Sequence, residues 1–218
     1  MPEPVTIMGV GGGAIGFSAY LARRHFELAK EVFDIVLGCI LLVALSPLIG
    51  LCALAIKCSD GGPVFFVQTR LGRGGKPFRM IKLRTMYQDA EKASGAMWAC
   101  KGDPRVIPLC RWMRRSHVDE LPQLINVIRG DMSLVGPRPE RPEIMTELER
   151  LYPHIRRRLA VRPGITGLAQ VRDGYDTSIE HVACKLRSDL EYIERRRWSM
   201  ELSILARTLT KVNDKTAH

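Results

Sequence analysis

Ile35 to Ile56 is a run of 22 residues without one charged side chain, and Ser46-Pro47 falls in its middle. As a straight helix it would measure ~33 Å, enough to cross the ~30 Å hydrocarbon core of a bilayer. It begins too far from Met1, and lacks the cleavage site, for an ordinary signal peptide. Pro47 complicates the straight helix, because proline donates no backbone hydrogen bond and clashes with the preceding turn. In hydrocarbon the carbonyl it frees needs another donor, and the Ser46 hydroxyl is placed to supply one. A sharp break would leave two legs of about 11 residues, each ~16 Å, or roughly one leaflet. Arg23, Arg24 and Lys30 precede the run, and Lys57, Arg70, Arg73 and Lys76 follow it. That balance has no positive-inside asymmetry, so both ends read as cytoplasmic. Spacing leaves two arrangements open, a re-entrant helical hairpin and a kinked single span.

Charge separates this run from the rest of the chain. Residues 1–60 carry four basic and five acidic side chains, whereas residues 61–218 carry 29 and 18, a net +11. A nearly neutral apolar segment therefore precedes a basic module that needs an anionic partner: nucleic acid, phospholipid or a phosphorylated small molecule. An apolar fraction of 46% excludes a disordered tail. None of the six cysteines forms C-x-x-C, which excludes a zinc ribbon and favours a reducing, cytosolic setting for the polar part. Gly11, Gly13 and Gly16 match a dinucleotide-binding turn after the apolar run Val5–Met8. We reject that reading, because the chain enters the apolar segment where a second βαβ unit should stand. Phe17 to Asp34 instead reads as an interfacial helix offering Phe17, Tyr20, Leu21, Phe26 and Phe33 to lipid.

The basic module opens with two β-prone runs, Val64–Arg70 and Phe78–Arg84, around a Gly-rich turn. They predict a hairpin bearing Arg70, Arg79, Lys82 and Arg84. Arg114-Arg115-Ser116 then precedes Asp119-Glu120, and Leu121–Arg129 reads as a helix with Pro122 in its first turn and Gly130 as its stop. Carboxylates at a helix start beside arginines are expected to stay ionised with a low pKa, and such an Asp119 can attack phosphorus. The competing reading is that Ser116 and Asp119 form a capping box with no chemistry. Gly136-Pro137-Arg138-Pro139 is a stiff loop that can pin Arg138 for phosphate recognition. Pro142–Tyr152 predicts a helix, Arg156-Arg157-Arg158 a lipid-facing or solvated patch, and Arg162–Gly167 a turn-rich loop open to ligand approach. Ile179–Val212 is helical in pattern, broken at Arg195-Arg196-Arg197-Trp198, with Ser199 as N-cap and Trp198 suited to a membrane interface.

Taken together these segments resemble the monotopic phosphoglycosyl transferases of bacterial glycoconjugate assembly, in their small, catalytic-domain-only form. The stretches that carry the resemblance are Phe33-Asp34-Ile35 with Ser46-Pro47, Gly62–Gln68, Lys82–Met86, Asp103-Pro104-Arg105, Asp119–Leu124, Gly130–Leu134, Gly136–Pro139 and Pro163–Gly167. They extend over residues 29 to 212. One position departs: Leu168 stands where the family often has Trp after Pro163–Gly167.

The resemblance implies an α+β, mainly helical fold: a re-entrant membrane helix-break-helix, a small β-hairpin and amphipathic interfacial helices. It divides the chain into an extension at 1–28, a membrane segment at 29–58 and a catalytic domain at 59–218 on the cytoplasmic face of the bacterial inner membrane. It implies transfer of a sugar-1-phosphate from a UDP-sugar to polyprenyl (undecaprenyl) phosphate, with UMP leaving, as a first membrane step in exopolysaccharide, O-antigen or glycoprotein glycan assembly. Asp119 would be the nucleophile, Glu120 its partner, and Mg2+ would sit at the pair. Lys82, Arg84, Arg115, Arg138 and Asp189 are assigned to substrate binding. The implied partners are the UDP-sugar, polyprenyl phosphate and the phospholipid bilayer, with no nucleic acid; a homodimer is left open. A membrane-anchored nucleic-acid-binding protein would share the charge but lacks a stacking module, with only 6% aromatics. A lipid-binding scaffold would not need the Asp-Glu pair. The sugar itself, glucose, galactose or an N-acetylated one, is not legible.

Overall fold

The computed structural model describes residues 13–88, 90, 103–173 and 179–211. Val5–Met8, Gly11, Cys100 and Val212 lie outside the described residues, as do the side chains of Phe17, Tyr20 and Leu21. The first element, α1 (Gly13–Asp60), is one helix of 48 residues. It is long and apolar enough to cross a membrane by length and composition.

The expected division of this segment into two helices does not occur, since α1 continues through Pro47. The reason is local. Pro47 removes the donor that the Val43 carbonyl would use, and the Ser46 hydroxyl donates to that same carbonyl at 2.8 Å. With its freed acceptor satisfied, the helix need not open. One face of α1 packs on the domain along both halves. Phe33, Leu37, Leu41 and Leu45 cover a core of Leu124, Val127, Leu134, Leu168, Tyr192 and Ile204. Beyond Pro47, Leu48, Ile49, Cys52 and Ile56 meet Leu83, Ile107, Cys110 and Met113. The opposite face exposes Leu28, Val32, Val36, Ile40, Val43, Leu51 and Leu54 at helical spacing.

Buried charge locks the first half of α1 in place. Lys30 meets Asp34 at 3.2 Å and Glu201 at 2.9 Å. Ser133 donates to Asp34 at 2.6 Å, and the Tyr192 hydroxyl donates to Glu201 at 2.7 Å. Phe26 and Phe33, expected to face lipid, are half-buried and make T-shaped ring contacts with Trp198 at 5.5 and 5.4 Å. Trp198 stays exposed beside them, so the contact is compatible with its expected interfacial placement.

The hairpin forms as expected from β1 (Phe65–Leu71) and β2 (Pro77–Leu83), paired antiparallel with Phe66 opposite Lys82 and Arg70 opposite Phe78. Gly74 and Gly75 take φ of 68° and 77° at its turn, a conformation that suits glycine. After α2 (Arg111–Arg115) and a 3-10 turn at Val118–Glu120 comes α3 (Gln123–Ile128), which ends at Gly130 with φ 80°. A short strand β3 (Ser133–Val135) follows, then α4 (Pro142–Leu151), which starts on its proline. A 3-10 helix at Ile155–Ala160 leads to β4 (Gly164–Thr166), which pairs parallel with β3. This second sheet was not anticipated. It explains the glycine-rich loop. A Cβ on Gly136, Gly164 or Gly167 would collide with backbone of the facing loop, so close approach of chain to chain, not of ligand, selects glycine there. The chain closes with α5 (Leu168–Asp173), α6 (Ile179–Arg195) and α7 (Trp198–Lys211). Leu168 is buried in the main core, so the residue that departs from the family pattern is a packing residue.

Candidate active site

The Asp119–Glu120 pair rides on a single 3-10 turn whose entry residue, His117, has φ 55°. A left-handed non-glycine residue is uncommon. It reverses the chain between α2 and α3, so that two adjacent carboxylates face the domain interior. The capping box is absent. The Ser116 hydroxyl donates back to the Trp112 carbonyl at 2.8 Å, and no side chain caps the start of α3. Asp119 is thus not explained as a capping residue.

Two elements bring cations to Glu120. Lys82 on β2 reaches Glu120 Oε1 at 2.8 Å. Arg138, on the loop after β3, donates from Nη2 to Oε1 at 2.8 Å and from Nη1 to Oε2 at 3.3 Å. Asn126 aligns the two sides. Its fully buried amide accepts from the Ile81 N–H at 3.0 Å and donates to the Arg79 carbonyl at 2.8 Å. It thereby fixes α3 against the free edge of β2, one residue before Lys82. In the sequence Asn126 gave no such signal, because an amide pairing with a strand edge needs a partner far along the chain.

The carboxylates differ in state. Burial opposes ionisation of Glu120, but Arg138 and Lys82 outweigh it and hold the carboxyl well below its ordinary value. Asp119 is nearly as buried and its Oδ1 has no hydrogen-bond partner. Burial raises its pKa to about 6, with Lys82 opposing the rise. The low pKa expected from a helix start is corrected by this, since α3 is only six residues long and desolvation dominates. At neutral pH Asp119 remains largely ionised, a buried anion lacking a donor on one oxygen.

The other assigned residues lie elsewhere. Arg84 grips Asp60 at the end of α1 with contacts of 2.5 and 2.6 Å and donates to the Pro63 carbonyl, so it latches α1 to β2. Arg115 is exposed; its neighbour Arg114 bonds Thr85 at 3.3 Å and acts electrostatically on Asp119. A short helix presents only one of two adjacent arginines inward. Asp189 is buried and pairs with Arg158 at 2.7 Å. Arg158 in turn bonds the Arg138 carbonyl at 3.0 Å and Glu140 at 3.3 Å. Of the triple-arginine run expected to be lipid-facing or solvated, Arg156 and Arg157 are exposed and Arg158 is not.

For magnesium, the described residues contain no group of three or more His, Cys, Asp and Glu side chains placed to hold a metal. Both Glu120 oxygens are engaged by cations. Of the pair, Asp119 Oδ1, which has no hydrogen-bond partner, is the oxygen that would hold a hard cation such as magnesium.

The profile of the bacterial sugar transferase family matches residues 25–215, a span that includes α1 from His25 onward, the hairpin and every residue of the site. The chain belongs to the bacterial sugar transferase family. A UDP-glucose:undecaprenyl-phosphate glucose-1-phosphate transferase from Caulobacter vibrioides is 42% identical over 193 residues, 87% of this chain and 71% of the relative. An undecaprenyl-phosphate glucose phosphotransferase from Komagataeibacter xylinus is 43% identical over 182 residues, 81% of this chain and 34% of its own length. An Aeromonas hydrophila UDP-N-acetylgalactosamine-undecaprenyl-phosphate N-acetylgalactosaminephosphotransferase is 37% identical over 187 residues, 86% of this chain and 44% of its own. This bacterial sugar transferase therefore spans less than half the length of the latter two, and its relatives use more than one sugar.

Proposed function

We propose that this chain moves a sugar-1-phosphate from a UDP-sugar to undecaprenyl phosphate through a covalent intermediate on Asp119. The observation that carries the reading is the contrast within the pair: Glu120 is saturated by Lys82 and Arg138, while the buried Asp119 oxygen beside it lacks a partner. In the first half-reaction an Asp119 oxygen attacks the β-phosphorus of the donor. The bond from that phosphorus to the bridging oxygen breaks, and UMP leaves with the electron pair. In the second, a phosphate oxygen of the polyprenyl acceptor attacks the same phosphorus. The acyl-phosphate bond breaks, Asp119 regains its carboxylate, and polyprenyl diphosphosugar departs. One carboxylate used in turn suits two anionic substrates, one in water and one in lipid.

Lys82 and Arg138 meet the charge of the transferred phosphoryl group, while Glu120 orients both cations. Arg138 serves best, because a third of its side chain is open to solvent. Magnesium, held by Asp119 and the donor diphosphate, would supply further charge neutralisation. The carboxylate oxygen must lie close to the phosphorus in line with the departing UMP, and burial keeps it free of competing water.

The packing of α1 on one folded domain before and after Pro47 supports a membrane disposition in which both of its ends share that domain's side of the bilayer. The outward stripe from Leu28 to Leu54 is then the lipid-facing surface of a monotopic protein with its catalytic domain in the cytoplasm at the inner membrane. The division into an extension at 1–28, a membrane segment at 29–58 and a catalytic domain at 59–218 belongs to the same reading, as does service in exopolysaccharide or related glycan assembly. A donor screen tests the function. Purified chain, undecaprenyl phosphate and magnesium are incubated with UDP-glucose, UDP-galactose or UDP-N-acetylgalactosamine. At least one donor should release UMP in step with formation of lipid-linked sugar; release of UMP from none would remove the proposal.

A further inference from the structure

We propose that Arg70 is a positioning residue that aims Arg138 at Glu120 and at the transferred phosphate, and this rests on the transferase reading above. The loop at 136–139 poses a physical problem. Pro137 and Pro139 have no backbone N–H, so the residues on either side of Arg138 can be anchored only through their carbonyls. Four successive carbonyls are held. That of Pro137 accepts from the Gly164 N–H at 2.9 Å, that of Arg138 from Arg158 Nη2 at 3.0 Å, that of Pro139 from Arg70 Nη1 at 3.1 Å, and that of Glu140 from the Leu71 N–H at 2.9 Å. Two of these four anchors, those after Arg138, come from adjacent residues of β1.

Arg70 is itself fixed. Its Nη2 donates to Gln68 Oε1 at 2.6 Å, and Glu140 lies 3.9 Å from Nη1. It is a largely buried cation whose pKa burial lowers to about 10, with Glu140 opposing, so it keeps its charge at neutral pH. The hairpin therefore acts on Glu120 twice. β2 delivers Lys82 directly, while β1 delivers Arg138 through the Pro139 carbonyl. Since Arg138 is a third exposed, packing around its side chain is incomplete and its aim depends on the backbone beneath it. A loosened loop moves a charged donor by a fraction of an ångström to an ångström, which is enough to lower transition-state stabilisation.

The test is a double-mutant cycle on the full chain in nanodiscs, using UMP release as the readout and thermal melting as a folding control. Arg70→Gln should lower kcat/KM ~10–100-fold in an otherwise native background. In an Arg138→Gln background, where there is no cation left to aim, the same change should cost less than ~3-fold. Multiplicative losses in the double variant would overturn the proposal. Hydrogen exchange without substrate gives a second readout that does not depend on the transferase reading. The Leu71 and Gly164 amides, which bond the Glu140 and Pro137 carbonyls, should exchange faster in Arg70→Gln while amides of α7 do not change. Unaltered exchange at both would overturn the positioning role. An inactive native chain would count against the transferase reading alone and leave exchange to decide this one.

Discussion

Two buried ionic clusters in this molecule invite comparison. Under α1, Lys30 lies between Asp34 and Glu201: both Asp34 oxygens and Glu201 Oε1 accept hydrogen bonds from Lys30, Ser133 or Tyr192, and Glu201 Oε2, which accepts none, is ion-paired with Lys30 at 2.9 Å. At the 3-10 turn, Lys82 and Arg138 saturate Glu120, but one buried oxygen of Asp119 next to it has no hydrogen-bond partner, and among the described residues no ion pair to it lies within 4 Å. Both clusters mix cations with carboxylates that are buried to a similar depth. The difference lies in completion. A saturated cluster holds elements together, here α1 to β3 and α7, whereas an incomplete one retains a reactive group whose desolvation is not offset. Counting partners, and not counting charges, tells the two apart.

Among the residues around Asp119, the largest expected effect comes from Glu120→Gln. It leaves Lys82 and Arg138 without their anion, and turnover should fall ~10²–10³-fold as the cations lose their orientation. Next, Lys30→Met should cost ~3–5 kcal/mol by stranding two buried carboxylates, while activity per folded molecule stays near native. Chemical denaturation and specific activity on the same preparations check both; equal activity losses would erase the distinction between the clusters. Asp119 gives an effect of opposite sign. Its folded-state pKa is raised to about 6, so the folded chain binds a proton more tightly than the unfolded chain does. Lowering pH from about 6 toward 4 therefore stabilises the fold, and above 6 the ionised group carries a penalty. Asp119→Asn should gain about 1–3 kcal/mol at pH 8, and the gain should vanish near pH 4. Over the same range native activity should fall as pH drops below about 6, because the protonated acid is a poor nucleophile. Smallest is Ser46→Ala, which strips the Val43 carbonyl of its donor and should cost ~1 kcal/mol.

What could be read from the sequence divides along the same line. The hairpin, the stop of α3 at Gly130, the start of α4 on Pro142 and the break before Trp198 are local events with local causes, and they stand within a residue or two of expectation. The placing of Lys82 on a strand was also legible. Pairings across long separations were not. Arg84 reads as another cation on the hairpin until Asp60 is seen beside it. Arg158 reads as one third of a charged run until Asp189, 31 positions on, is found at its guanidinium. Choosing Arg114 over Arg115 required the phase of a five-residue helix, which no periodicity can set. The parallel pairing of β3 with β4 rests on two three-residue strands, too short to leave a pattern.

The central claim is that Asp119 is the nucleophile, and trapping the first half-reaction tests it most directly. The full chain is incubated with magnesium and a UDP-sugar carrying label in its sugar-phosphate, with no lipid acceptor present, and the protein is then separated and counted. The account predicts label on the native chain in proportion to UMP released, its discharge on adding undecaprenyl phosphate, and neither labelling nor turnover in a well-folded Asp119→Asn variant. Substantial turnover by that variant, or UMP release from the native chain with no label retained before acceptor is added, would contradict it.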